Sequence, residues 1–196
     1  MQANSGSESI TYRQANISDA RGIAQVHVDT WRTTYAGIVP DAFLRDLSYE
    51  RRERQWQSFY EKPEPRSHLW LAVDGDTTVG FSSGGLERHA EEHEGEVYAI
   101  YLLKRYHYKG IGKELFLRSV ASMHADHFTS IMVWALADNP TCEFYRRMGG
   151  QEFSEKFESI GGEKLKEISF RWTEKAIVEC LKDFRISNDT LGVGLV

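Results

Sequence analysis

Glu96-Val-Tyr-Ala-Ile-Tyr-Leu-Leu-Lys-Arg-Tyr-His-Tyr-Lys-Gly-Ile-Gly-Lys113 runs from an apolar stretch through a basic, aromatic loop to a pair of glycines. Val97 to Leu103 predicts a buried strand, and Gly110-Ile111-Gly112 predicts the opening of a helix. A strand feeding a helix through glycines builds an anion site. The first-turn N–H groups are free, the helix dipole supplies roughly half a positive charge, and the glycines leave the approach open. Lys104, Arg105, Lys109 and Lys113 add cations at the same place. A phosphate-bearing ligand fits this chemistry. The alternative, a glycine-rich turn serving tight packing alone, explains the glycines but not the strand, the helix and the cations together.

Two well-known glycine motifs do not match. The Walker pattern G-x-x-x-x-G-K-[ST] meets His107 at its first Gly and Glu114 at its Ser/Thr. The dinucleotide fingerprint G-x-G-x-x-G meets Leu115 at its third Gly, which removes the close helix–strand contact it needs. The remaining window, His107-Tyr-Lys-Gly110-Ile-Gly112, resembles motif A, [Q/R]-x-x-G-x-[G/A], of the GCN5-related N-acetyltransferases. His107 replaces the usual Gln or Arg. The resemblance implies that backbone amides of His107, Tyr108, Lys109, Gly110, Ile111, Gly112 and Lys113 hold the pyrophosphate of acetyl-CoA.

At 196 residues the chain reads as one domain, long enough to bury a core without disulfide or metal staples. Its 41% apolar content suits a globular protein, and no apolar run approaches the ~20 residues needed to span a bilayer. Met1 to Ser9 is small and polar and is expected to be disordered. Residues 10–173 are expected to form the domain and 174–196 an extension. The first residues lack a secretory apolar region, and Cys142 and Cys180 give no disulfide framework, so the expected location is the cytoplasm. A net charge of −5 argues against a general nucleic-acid binder.

Periodicity and punctuation predict the element order β-α-α-β-β-β-α-β-α-β-β. Ile10 to Ala15 alternates as a strand; Ser18-Asp19 starts a helix through about Trp31; Pro40-Asp41 starts a second amphipathic stretch, and Arg51 to Tyr60 is a third. His68–Val73 and Thr77–Gly84 flank the hairpin signal Asp74-Gly75. A helix from Gly110, a strand Ile131–Ala137, a short helix Thr141–Met148 and a hairpin around Gly161-Gly162 follow. The fold expected is α/β, with a mixed, largely antiparallel central sheet of about seven strands and flanking helices. This is also the order of elements in the acetyltransferase family, from about Ile10 to Trp172. Trp31-Arg-Thr-Thr-Tyr35-Ala-Gly-Ile-Val-Pro40 and Ile168-Ser-Phe-Arg-Trp172 resemble a prokaryotic subgroup of it.

The resemblance implies an acetyl-CoA-dependent N-acetyltransferase that moves acetyl directly to a primary amine in a ternary complex, without a metal. It places the donor for the thioester oxygen at the Leu102 N–H, with Leu103 and Lys104 beside it on the cofactor. Phe144-Tyr145-Arg-Arg-Met-Gly149 resembles F-Y-x-x-x-G, whose tyrosine protonates the departing thiolate. Glu96 aligns with a glutamate that serves as general base. Strict alternation puts Glu96, Tyr98, Ile100 and Leu102 on one face, base and oxyanion donor together. Water is the alternative base. The asparagine that contacts pantetheine is expected at Asn139, although relatives place it seven residues before the tyrosine and Asp138 stands there; Asn139-Pro140 also suits a helix cap. Trp31, Tyr35 and Tyr98 are expected at the acceptor.

Three other readings remain open. His89-Ala-Glu-Glu-His93 has the letters of an inverted zinc peptidase, but the glycines around it leave room for about one helical turn. The acidic group Glu91, Glu92, Glu94 suits a cationic acceptor or a solvated loop. A non-catalytic acyl-CoA-binding module on the same fold would keep the glycine cradle without a working acid. Expected partners are thus an amine, small or on a protein, and a second copy through residues 174–196; nucleic acid and membrane are not expected.

Overall fold

The computed structural model describes residues 10–62, 64–88, 94–182 and 184. Seven strands are β1 (Thr11–Gln14), β2 (His68–Asp74), β3 (Thr77–Leu86), β4 (Gly95–Leu102), β5 (Ser130–Leu136), β6 (Gln151–Ile160) and β7 (Glu163–Thr173). The helices among the described residues are α1 (Ala20–Thr34), α2 (Asp41–Asp46), α3 (Tyr49–Glu61), α4 (Ile111–Ala125), α5 (Thr141–Arg147) and α6 (Glu174–Leu181). The strands form one sheet in the order β1-β2-β3-β4-β5-β7-β6. Only β4 and β5 run parallel in it; every other neighbouring pair is antiparallel. The α/β class with a mixed, largely antiparallel sheet is the architecture found.

Local chemistry sets the connections. Gly161 and Gly162 turn β6 into β7 with φ of 61° and 86°, a left-handed pair that side chains resist. A parallel pair cannot be joined by a tight turn, so α4 crosses from β4 to β5. Before α1, Asn16 accepts the Ser18 N–H and Asp19 bonds back to the Asn16 N–H, which closes a capping box two residues earlier than Ser18 suggested. Ser48 Oγ accepts the Arg51 N–H at 3.1 Å, so α3 opens at Tyr49 rather than Arg51.

The sheet carries a core on each face. On one, α4, α5 and α6 bury Phe116, Met123, Tyr145, Phe170 and Trp172. On the other, α1 and α3 cover Ile23, Val26, Leu71 and Phe81. Ile177 of α6 has no exposed surface and lies in the same cluster as Phe116 and Trp172. Trp172 Nε1 and Cys180 Sγ both donate to the Met148 carbonyl, at 2.8 and 2.9 Å, which ties α6 to the end of α5. α6, a short helix after residue 173, thus packs on this core.

Two irregularities shape the middle of the sheet. Ser83 pairs with Ala99 but Gly84 pairs with Val97, so Tyr98 is an extra residue, a β-bulge in β4. Toward β5, β4 is paired only through Gly95 with Ile131 and Glu96 with Met132; beyond that the two strands part.

Shortening Ile177 tests whether α6 belongs to the core. Ile177→Ala should lower unfolding free energy by about 2–5 kcal/mol, the usual cost of a cavity at a fully buried site. Urea denaturation measures it, and an unchanged midpoint would place α6 outside the cooperative unit.

Candidate active site

The parted strands leave backbone groups without a sheet partner. In an antiparallel ladder the N–H and C=O of one residue point to the same neighbour, and successive residues alternate. Leu103 N donates to Val79 O of β3 at 2.9 Å. The Leu102 N–H and C=O therefore point the other way, into the gap. The His107 ring Nε2 lies 2.9 Å from the Leu102 carbonyl and bonds it as an N–H donor. The residue that departs from the Gln/Arg pattern thus ties the loop to the strand end.

Beyond His107 the chain forms a cradle. Tyr108 is fully exposed with φ of 61°, and Gly110 caps α4 with φ of 82°. Glu114 N is the first to reach a helical acceptor, Gly110 O at 3.1 Å. The N–H groups of Ile111, Gly112 and Lys113 accordingly project from the helix start. A Cβ built at Gly110 or Gly112 meets nothing within 4 Å, so both glycines border open space. Lys104, Arg105 and Lys109 are exposed around this turn, and Tyr106 anchors it through a 2.6 Å bond to Asp74 Oδ2. A cavity of about 550 Å³ continues from Lys113 past Arg147 and Met148 to α6.

Tyr145 of α5 is buried in the core that α4 covers. Its ring packs on Phe116, Phe144, Phe170 and Trp172 with centroids 5.3–6.4 Å apart. Burial pushes the Tyr145 phenol above its usual range, so it is protonated at neutral pH. Tyr101 Oη accepts the Trp31 indole N–H at 2.9 Å. Tyr35 packs 4.7 Å from Trp31 and interacts with Asn139 and Tyr101; burial holds its phenol well above the usual range. Asn139 is buried and caps α5, its Oδ1 accepting the Thr141 N–H at 2.9 Å, whereas Asp138 is exposed. The structure thus brings Trp31, Tyr35 and Asn139 together around Tyr101, the residue before Leu102 in β4.

Glu96 stands apart from the expectation that it shares a face with Leu102. Val97 packs with Phe116 on the α4 face, and so do Ile100 and Leu102 with their neighbours, while Ala99 and Tyr101 face α1. The extra residue at Tyr98 reverses the alternation, which turns Glu96 to the Tyr101 side. There Glu96 is 1% exposed and closed by Arg88: Nε reaches Oε2 at 3.0 Å, Nη2 reaches Oε1 at 2.5 Å, and the Arg88 N–H adds a third bond at 3.3 Å. Tyr98 lies under the same guanidinium, 4.3 Å from its ring, and donates to Leu86 O at 2.6 Å; burial raises its phenol to about 12. The His89–His93 pentapeptide, with Glu91 and Glu92, lies outside the described residues. Among those described, no cluster of three or more His, Cys, Asp or Glu could hold a metal, and no helix is long and apolar enough to cross a membrane.

The sequence profile of the Acetyltransferase (GNAT) family matches residues 27–150, a span that includes the cradle, the gap and Tyr145. The chain belongs to this family. It is an acetyl-CoA-dependent N-acetyltransferase. An uncharacterized N-acetyltransferase of Bacillus subtilis (strain 168), YuaI, is 34% identical over 174 residues, 88% of this chain and 98% of that protein. A spermidine N(1)-acetyltransferase of Thermoplasma acidophilum is 27% identical over 114 residues, 57% of this chain and 68% of that one. The PaiA N-acetyltransferase of the same organism, solved in complex with coenzyme A, shares the fold with a TM-score of 0.65 at 20% identity, covering 84% of this chain and 99% of its own.

Sequence reasoning about this acetyltransferase missed Tyr101, Arg88 and His27. Tyr101 lies beside the expected oxyanion donor, but the bulge conceals that its hydroxyl turns toward Trp31. Arg88 is eight residues from its partner Glu96, across a connection whose path no local pattern reveals. His27 looked like one more α1 position; it is boxed by Trp31, Trp56, Phe81 and Tyr101 at 4.9–6.1 Å, with its Nδ1 unpartnered. Burial lowers its pKa from 6.5 to about 3. Above pH 6.5 the ring is neutral in both folded and unfolded chains, and its titration adds nothing to stability. Below that only the unfolded chain binds the proton, so stability falls until about pH 3. Relative to His27→Phe, the wild type should lose about 2 kcal/mol more between pH 6.5 and 5, at about 1.4 kcal/mol per pH unit for one proton. Urea midpoints over this range read the difference, and a pH-independent gap would show that His27 does not titrate on unfolding.

Proposed function

We propose that this protein transfers the acetyl group of acetyl-CoA directly to a primary amine while both substrates are bound. One observation supports the reading: β4 and β5 part after two residue pairs, which leaves the Leu102 N–H without a sheet partner, and the amide cradle lies at the end of the same strand. The cradle amides and Lys104, Lys109 and Lys113 would hold the pyrophosphate, and the open edge of β4 the pantetheine arm. His107 keeps the loop in register with Leu102, and Asn139 sets the start of α5 and with it Tyr145.

The amine nitrogen attacks the acetyl carbonyl carbon, and the Leu102 N–H stabilises the negative charge on the oxygen. The carbon–sulfur bond then breaks, and Tyr145 supplies the proton that the thiolate takes. Trp31, Tyr35 and Tyr98 wall the amine side. Glu96 as held is a poor base, because Arg88 occupies both of its oxygens. We therefore assign the ammonium proton to water on the Tyr101 face, and to Glu96 the part of a charge partner for Arg88.

Two variants separate these roles. Tyr145→Phe should lower turnover by roughly 10²–10⁴-fold, the range for a lost general acid, with acetyl-CoA affinity nearly intact. Glu96→Gln should cost less than the ~10²-fold of a lost general base. Free-thiol release over an amine panel measures turnover, and calorimetry measures cofactor affinity. Full activity of Tyr145→Phe would sink the acid assignment; a loss in Glu96→Gln as deep as in Tyr145→Phe would return Glu96 to the base role.

A further inference from the structure

Trp134 stands where β4 leaves β5. The last β5 residue paired to β4 is Met132, with Glu96, so Trp134 and Leu136 border the gap on one side while pairing with Ser169 and Glu167 of β7 on the other. Ile131, Val133 and Ala135 pack on the α4 side, and so do Ile168 and Phe170 of β7. Alternation therefore turns Trp134, Leu136 and Glu167 to the opposite face. Leu136 belongs to the cluster on which Trp31 and Tyr35 pack, and Trp31 bonds Tyr101 across the gap in β4. This is the face assigned above to the amine.

Trp134 is half-buried, yet among the described residues it joins none of the apolar clusters of the core. Its ring carries a cation instead. Lys156 Nζ is 4.3 Å from the ring centroid and 3.6 Å from Glu167 Oε2. An ammonium over an indole face, with a carboxylate beside it, is an arrangement that also holds alkylammonium ligands. It differs from the ordinary strand-to-strand bridge on the same hairpin. Lys166 and Glu155 meet at 2.5 Å with both side chains largely in water, whereas Lys156 and Glu167 stand farther apart at 30% and 17% exposure. Burial raises the Glu167 pKa against the pull of Lys156, and the charges of Glu158 and Glu96 add to the rise. Glu96 is closed on both oxygens by Arg88. Arg171, a further cation on this face of β7, lies opposite Met132 with its guanidinium over Phe153, away from the Glu167 row.

We propose that Trp134 and Glu167 form a seat for a second ammonium group of the acceptor, filled by Lys156 until the substrate displaces it, so that the preferred acceptors are diamines. The inference rests on the amine-transfer reading above. Neighbouring strands lie about 4.8 Å apart, so a cation over Trp134 and Glu167 stands one to two strand widths, about 5–10 Å, from the gap. A short diamine bridges that interval, one nitrogen in the seat and the other at the thioester. Exchange of one ammonium for another keeps Glu167 paired, which avoids the cost of a bare carboxylate withdrawn from water. Lys156 is tethered on β6 and partly exposed, so it turns out to water when displaced and acts as a competitor built into the chain.

The test uses the full chain, acetyl-CoA and amines of one length: cadaverine, pentylamine, 5-amino-1-pentanol and 5-aminopentanoate. Cadaverine should exceed the other three in kcat/KM by roughly 10–100-fold, the worth of one charge-assisted contact. Glu167→Gln should erase that preference while pentylamine is used as before. Lys156→Met should lower KM for cadaverine by roughly 3–30-fold and leave pentylamine unchanged, because the seat no longer has to be vacated. A merely structural ion pair predicts otherwise, with equal losses for every amine in both variants. Calorimetric titration of cadaverine into the CoA complex reads the same shifts without turnover. Acetyl-CoA affinity and melting temperature control for folding; should Glu167→Gln not fold, Trp134→Leu serves in its place. Equal or better use of pentylamine or 5-aminopentanoate by the wild type overturns the inference alone. So does a preference that survives in Glu167→Gln, or a cadaverine KM that does not fall in Lys156→Met. Acetyl-CoA binding without transfer to any amine overturns the transfer reading and this inference with it.

Discussion

β4 and β5 are held side by side at only two residue pairs, and everything that the active site can do follows from their parting. A parallel pair that continued would satisfy every amide between the strands and seal the sheet. Once it stops, the Leu102 N–H needs a partner that the protein does not supply, and a hole opens between the two cores. Tyr145 packs with the rings of one core, and Tyr101 bonds Trp31 in the other. His107 closes the far end of the gap by bonding the Leu102 carbonyl, and that bond carries the loop into the cradle.

The same gap divides the electrostatics. On the cradle side the cations are exposed and mobile in charge terms, suited to a ligand whose phosphates remain partly in water. On the Tyr101 side the buried carboxylate of Glu96 is paired with Arg88, and Glu167 with Lys156.

Much of the frame is legible in the letters because it is local. Gly161-Gly162 announces a hairpin, Asp74-Gly75 another, and the strand–glycine–helix order around Gly110 announces an anion cradle; each depends on a few neighbouring residues and on φ values that glycine alone adopts easily. The expectation at Tyr145 rests on its own short motif. The register of β4 was not. One inserted residue at Tyr98 moves Glu96 to the other face, and strict period-2 reading has no means to register a bulge. The role of α6 was hidden likewise, since Ile177 gains its meaning from Phe116 and Trp172, distant in the chain.

By itself, then, the sequence determined the element order and the glycine turn that opens α4, because helix starts and tight turns are written within a few residues. The tertiary structure decided which groups face each other: Arg88 on Glu96, Trp31 on Tyr101, and α6 on the core. Those contacts join residues from eight to seventy positions apart. Whether a charge is matched or a hydroxyl turned inward depends on such contacts, and local sequence rules do not reach across them.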